Sequence, residues 1–282
     1  MSSARPQVPL TIAGSDPSGG AGLQADLKVF LRLGFSGAAV PTAWTVQGPS
    51  GLKQIKPLSG RDVKAQLDAL LADMRPCAVK VGMLPSAEVV RAVARALHPL
   101  AAKKIPIVVD PVLRSSSGRR VLPKDDVAIF MRQLVPLATI LTPNIDEAAE
   151  LSGMSVDHVR SDTEAVIREL LRAGARNVLI KGGHLSGKES VDILGTRREY
   201  VMFSLPRIAQ RKQVHGTGCA LSSAIAALLG KKMKLDDAVE MAKQYVHAAI
   251  EGAKSVGRGS RMLDYLASPE ESEFELPEMP TD

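Results

Sequence analysis

Cysteine is almost missing from this chain: Cys77 and Cys219 are the only two in 282 residues. Two thiols exclude a disulfide framework, and neither has the Cys or His spacing of a zinc site. Aromatic residues are equally sparse, at 3%, which removes the stacking platforms that single-stranded nucleic acid requires. Nowhere do about 18 apolar residues follow one another, so no membrane-spanning helix is expected. Met1 to Val8 carry one Arg and no apolar run of signal-sequence length, and the chain reads as cytoplasmic with reduced thiols.

Positive charge is absent from the C-terminal end. Beyond Arg261 come seven acidic residues and no Lys or Arg, so the net charge of +6 conceals a more basic body. A basic body suits anionic ligands, with nucleic acid and ATP both in that class. The Lys and Arg are scattered along helical patterns and few aromatics accompany them, which argues against nucleic acid. Ser268 to Asp282 is rich in Glu and Pro and reads as a disordered tail, leaving residues 1–267 as one domain without internal repeats or linkers.

The 45% of residues that are apolar suffice for a sizeable core. Strand-like runs fall at Val8 to Ala13, Ala38 to Val46, Ala78 to Val81, Ile105 to Val109, Thr139 to Leu141 and Val178 to Ile180. Between or after them lie helical patterns at Leu23 to Leu33, Asp62 to Met74, Ala87 to Leu97, Asp125 to Leu134, Thr163 to Ala173, Ala220 to Leu229 and Asp236 to Lys254. The alternation predicts an α/β fold, a mostly parallel central sheet sandwiched by helices. Val191 to Leu194 and Tyr200 to Phe203 predict a hairpin at one edge of the sheet.

In such a sheet ligands gather beyond the carboxyl ends of the strands. The most informative loop is His215-Gly216-Thr217-Gly218-Cys219, directly before a helix. Two glycines let backbone N–H groups converge, and the helix N-terminus adds about half a positive charge. The result is an anion hole suited to a phosphoryl group in transfer, or else a tight turn before an ordinary helix start; it lacks the Gly-Lys-Ser/Thr ending of a Walker loop. Gly20-Ala21-Gly22-Leu23-Gln24-Ala25 formally fits the dinucleotide fingerprint. Its glycines begin several residues after the strand, however, and the second strand ends at Val46-Gln47 without an acid for a ribose. It reads better as a loop that lets a substrate reach the backbone. The residues therefore point to an ATP-dependent kinase of a small metabolite.

Six segments occur in order: Ile12 to Asp26, Lys80 to Leu84, Asp110-Pro111-Val112, Leu141 to Glu147, Lys181-Gly182-Gly183-His184 and His215 to Cys219. From about Leu10 to about Leu263 the chain resembles the hydroxymethylpyrimidine/phosphomethylpyrimidine kinases, the thiamin-pathway branch of the ribokinase-like superfamily. The resemblance implies a three-layer α/β/α sandwich and transfer of the ATP γ-phosphoryl group to 4-amino-5-hydroxymethyl-2-methylpyrimidine, then to its monophosphate. It implies Cys219 as the base, a role in keeping with the lowered pKa of a thiol at a helix N-terminus. Gly216 and Gly218 would supply the anion hole, Thr217 its hydroxyl, and Lys181 and Asn144 further contacts to ATP. Asp110 and Glu147 match metal-linked positions for Mg2+, which takes oxygen ligands, often through water. Gly14, Asp26, Gln47, Met83 and Val112 match the pyrimidine pocket, the carboxylate and amide reading donors and acceptors while Met83 packs on the ring. The family also suggests a homodimer.

Asn144 reads equally as a helix cap after Pro143. Gln47 is followed by Gly48-Pro49-Ser50 where relatives usually have Asn-Thr, and Trp44 replaces a smaller aliphatic residue. Ser115-Ser116-Ser117-Gly118 lacks the Lys that often precedes Ser-Gly, with Arg114, Arg119 and Arg120 as candidate replacements. Pyridoxal kinases share the fold, and a pyrimidine sensor without turnover would keep the pocket. The intact set of Lys181, Asp110 and Gly216 to Cys219 favours catalysis.

Overall fold

The computed structural model describes residues 7–182, 187–209 and 213–268. His184 and the acidic stretch after Ser268 lie outside the described residues. Nine strands form one sheet: β1 (Leu10–Ser15), β2 (Ala38–Gly48), β3 (Gly51–Pro57), β4 (Val79–Val81), β5 (Ile107–Val109), β6 (Ile140–Leu141), β7 (Val178–Lys181), β8 (Glu189–Gly195) and β9 (Tyr200–Pro206). Their order is β3-β2-β1-β4-β5-β6-β7-β8-β9. The strands from β2 to β7 pair in parallel, whereas β3 and the β8–β9 hairpin are antiparallel additions at the two edges.

The interior strands are continuous apolar runs because both faces are covered. Among the described residues nine α-helices supply the cover: α1 (Gly22–Arg32), α2 (Gly60–Asp73), α3 (Ala87–Ala102), α4 (Lys124–Gln133), α5 (Ile145–Ser152), α6 (Val156–Ser161), α7 (Thr163–Arg172), α8 (Thr217–Gly230) and α9 (Leu235–Glu251). Val79, Val81, Ile107 and Val109 pack with residues of α2, α3 and α4, whereas Val108, Ile140 and Leu179 pack with α1, α8 and α9. This is the period-two alternation of a strand dividing its side chains between two layers. Helix α8 is buried from Ala220 to Gly230. Its Ala- and Leu-rich surface has no polar face because it runs between α1, α9 and the sheet.

Three features differ from the sequence expectation. Strand β3 escapes a periodicity reading because Lys53, Gln54 and Lys56 break the alternation on an edge strand. Helices α5 and α6 are eight and six residues long, too short for a sustained period. A second small sheet joins β10 (Val214–His215), β11 (Lys254–Ser255) and β12 (Arg261–Met262), with β12 central and parallel to β10. Pairs of two residues carry no pattern, yet this sheet fixes His215.

Candidate active site

A cavity of about 840 Å³ opens at the carboxyl ends of the parallel strands. One end is built by the start of α8. The helix begins at Thr217, three residues earlier than its apolar pattern, because Gly216 adopts φ +85° as its N-cap. A Cβ at Gly216 would lie 1.8 Å from the Gly20 carbonyl oxygen, so only glycine allows the two loops to meet. Thr217, Gly218 and Cys219 form the first turn, whose amides have no acceptor inside the helix.

Lys181 faces this turn from the end of β7. Its Nζ is 3.2 Å from where a Gly218 Cβ would stand, and it donates to Asp110 Oδ1 at 2.6 Å. Burial works to strip the Lys181 proton, but Asp110 and Glu147 outweigh it and hold the ammonium above its ordinary pKa. Asn144 and Glu147 form a capping box at α5: Glu147 N donates to Asn144 Oδ1 at 2.9 Å and Asn144 N to Glu147 Oε2 at 2.8 Å. Burial, reinforced by Asp110 and opposed by Lys181, pushes the Glu147 carboxyl above its usual range. Asn144 is thus a cap as well as a cavity residue.

The other end is lined by Gly14, Gln47, Met83 and Val112, with Ala13 and Thr45. Gly14 is required by close approach, since a Cβ there would meet Met83 Sδ at 2.6 Å. Thr42 Oγ1 donates to the Met83 carbonyl at 2.6 Å and anchors it.

The sequence profile of the phosphomethylpyrimidine kinase family matches residues 16–264. The chain belongs to that family. It is 42% identical over 254 residues to the hydroxymethylpyrimidine/phosphomethylpyrimidine kinase of Rhizobium meliloti, covering 89% of this chain and 94% of the relative. A crystal structure of phosphomethylpyrimidine kinase from Clostridium difficile 630 superposes with TM-score 0.73 at 39% identity, covering 86% of this chain and 99% of the other. An ADP complex of Bacillus subtilis pyridoxal kinase superposes with TM-score 0.83 at 31% identity, covering 93% and 98%. The α/β sandwich expected from the motifs is the observed fold of this phosphomethylpyrimidine kinase family member.

Two expected site residues sit differently. Asp26 does not line the cavity: it is fully buried behind Lys80 and accepts from Lys80 Nζ at 2.9 and 2.8 Å, Thr11 Oγ1 at 2.6 Å and Ser223 Oγ at 2.7 Å. Its position on the inner face of α1 points it at the sheet, and Lys80 takes its place at the cavity wall. The thiol of Cys219 is not lowered by its helix position. Burial pushes it up to about 11, against the opposing charge of Lys80 and the N–H of Gly22, while Asp110 and Asp26 add to the rise. A half-charge at a helix end is outweighed by loss of solvent.

Of the three arginines, only Arg114 reaches the cavity. Arg119 bonds the Lys53 carbonyl, and Arg120 pairs with Glu150. Sequence reasoning missed Lys80, Asp16, His215 and the buried pair Lys243–Asp192. Lys80 had a visible signal, a lone Lys between two Val in an apolar run. Asp192 accepts from Gly182 N at 2.8 Å and from Lys243 Nζ at 2.7 Å, steadying the backbone next to Lys181. That signal is invisible in sequence, because β8 brings it from ten residues away.

Gly216→Ala is expected to slow phosphoryl transfer by about tenfold or more and to cost about 1–3 kcal/mol of stability, the scale of a forced backbone conformation. Single-turnover rates and urea unfolding check this. An active, fully stable variant would mean the loop tolerates the contact.

Proposed function

We propose that this chain transfers the γ-phosphoryl group of ATP to 4-amino-5-hydroxymethyl-2-methylpyrimidine and to its monophosphate, giving the pyrimidine diphosphate for thiamin. The observation that carries this reading is the shared cavity: the first turn of α8 and Lys181 at one end, Gln47 and Met83 at the other. Phosphates dock on the α8 amides and Lys181, where positive charge is fixed before the reaction begins. The substrate ring stacks on Met83 with its polar edge toward Gln47, which brings its hydroxymethyl group to Cys219. Cys219, in its thiolate form, takes the hydroxyl proton and becomes the thiol as the phosphoryl group arrives. Transfer is largely dissociative, so positioning by these groups supplies much of the rate.

Mg2+ fits the donors present. Among the described residues no cluster of three His, Cys, Asp or Glu would hold a metal alone. Mg2+ usually keeps several waters and binds through one or two carboxylates plus substrate phosphates. Asp110 and Glu147 are such a pair, both lining the cavity beside Lys181. When bound, the ion neutralises phosphate charge. One kinase unit, residues 1–267, carries the activity in the cytoplasm, in keeping with two unpaired thiols and no described helix long and apolar enough to cross a membrane. Trp44 and Val46, exposed on the outward side of β2, support a homodimer.

A pyridoxal kinase activity is the second reading, favoured by the superposition on the Bacillus subtilis enzyme. Mass spectrometry of products from ATP, Mg2+ and each of the pyrimidine alcohol, its monophosphate and pyridoxal decides. Pyrimidine mono- and diphosphate are expected. Phosphorylation of pyridoxal alone would overturn the proposal in favour of the second reading, and no ATP consumption with any substrate would leave a binding protein.

A further inference from the structure

His215, at the end of β10, meets two loops and the end of β2, with its side chain largely buried. Its Nε2 lies 3.1 Å from Asp16 Oδ2 and 2.9 Å from the Gln47 amide at the position assigned to Nε2, and its Nδ1 lies 3.2 Å from Ser116 Oγ. Pairing of β10 with β12 holds its backbone, so the ring is fixed from behind as well as at its edges. The proposed mechanism gives none of these contacts a task.

Asp16 is tightly held. Its Oδ1 accepts from Ser18 N at 2.9 Å and Ser18 Oγ at 2.7 Å, and its Oδ2 from Ala21 N at 2.9 Å. Burial pushes its pKa upward, but hydrogen bonds from His215 and Ser18 prevail and keep it ionised. An ionised carboxylate only accepts, so the 3.1 Å contact needs a proton on His215 Nε2. A protonated Nε2 has no lone pair, and an amide NH2 cannot donate to it. With the half-turn that exchanges its two atoms, the Gln47 amide presents its oxygen to the ring and shares the Nε2–H with Asp16, while Ser116 Oγ bonds the Nδ1 edge. The oxygen and nitrogen of an amide exchange places by a half-turn, and the surrounding network decides between them.

We infer that His215 is a specificity-determining positioning residue, relaying Asp16 to Gln47 so that the Gln47 NH2 is the group offered to the pyrimidine. The inference rests on the proposed reading of Gln47 as a pyrimidine contact. A donor held toward the cavity suits a ring nitrogen with a free lone pair, and it fits the exocyclic amino group poorly, since that group would present hydrogens to it. Without the relay Gln47 samples both orientations, and the substrate must select one on binding.

The test is calorimetric binding of the pyrimidine alcohol and, separately, of ATP to full-length wild type, Gln47→Leu, His215→Leu, His215→Gln and the double Leu variant. His215→Leu is expected to weaken the pyrimidine about tenfold, the scale of one or two net hydrogen bonds, and ATP less than twofold. His215→Gln, which keeps a donor, is expected to recover most of the loss. In the double variant the loss is expected to be no greater than with Gln47→Leu alone. Multiplying losses in the double variant, or equal weakening of ATP and pyrimidine, overturns the relay. Normal pyrimidine binding by Gln47→Leu overturns the underlying reading of the pocket, whereas loss there with normal binding by His215→Leu overturns the relay alone.

Discussion

Cys219→Ala is expected to fold, to bind ATP as the parent does, and to transfer phosphoryl groups about 100-fold more slowly or worse, the lower range for loss of a general base. Alanine leaves the α8 amides and Gly216 unchanged, so the phosphate end persists. The buried thiol, raised to about 11, adds a signature in pH. The active form of a base is deprotonated, so a raised pKa means that the thiolate is a small fraction at neutrality and grows with pH. The catalytic constant of the parent is expected to climb by about tenfold per pH unit from pH 7 toward 9 where proton removal limits, and that of Cys219→Ala to stay flat. Cys219→Asp is expected to exceed Ala and to lose the slope, since a carboxylate is already ionised there. Single-turnover rates across pH decide. Equal rates in parent and Ala variant would make Cys219 a packing residue.

The second large effect is on stability. Asp26→Ala leaves the Lys80 ammonium buried beside Thr11 and Ser223 without its counter-charge, and breaking such a pair costs about 3–5 kcal/mol. That is a large share of the margin of an ordinary domain. Chemical unfolding is expected to show the loss, with pyrimidine and ATP affinity falling together in whatever fraction stays folded. Asp26→Leu combined with Lys80→Met is expected to recover much of the stability, because the charges leave together. A variant as stable as the parent that had lost only pyrimidine affinity would return Asp26 to the role of a binding residue.

The case of Asp26 shows where sequence reading reached its limit. Its motif places it near the substrate loop, but whether a residue on a helix faces a cavity or the sheet depends on the rotation of that helix, here set by Leu23, Val29 and Phe30 packing inward. The parallel strands were legible because Ile107 to Val109 and Val178 to Ile180 are buried on both faces, which forces apolar runs. The loops after β5, β7 and β10 were legible because glycine and strand ends mark them. Cys219 was found by position and misjudged in charge, since desolvation depends on everything packed around a group and not on its neighbours in the chain. His215 was quoted in its motif without a task, because Asp16 and Ser116 reach it from two other loops and Gln47 from the end of β2.

The small sheet has a consequence for how the protein is made. Strand β12 holds Val214 and His215, and Tyr265 Oη donates to the Gly20 carbonyl at 2.9 Å, against which Gly216 packs. The start of α8 in the candidate cavity is therefore braced by residues 261–265, which are synthesised after every residue that lines it. A ribosome-bound chain carries every side chain of the candidate site before that brace is made. The nascent enzyme should stay silent toward ATP until that segment clears the exit tunnel and closes against β10.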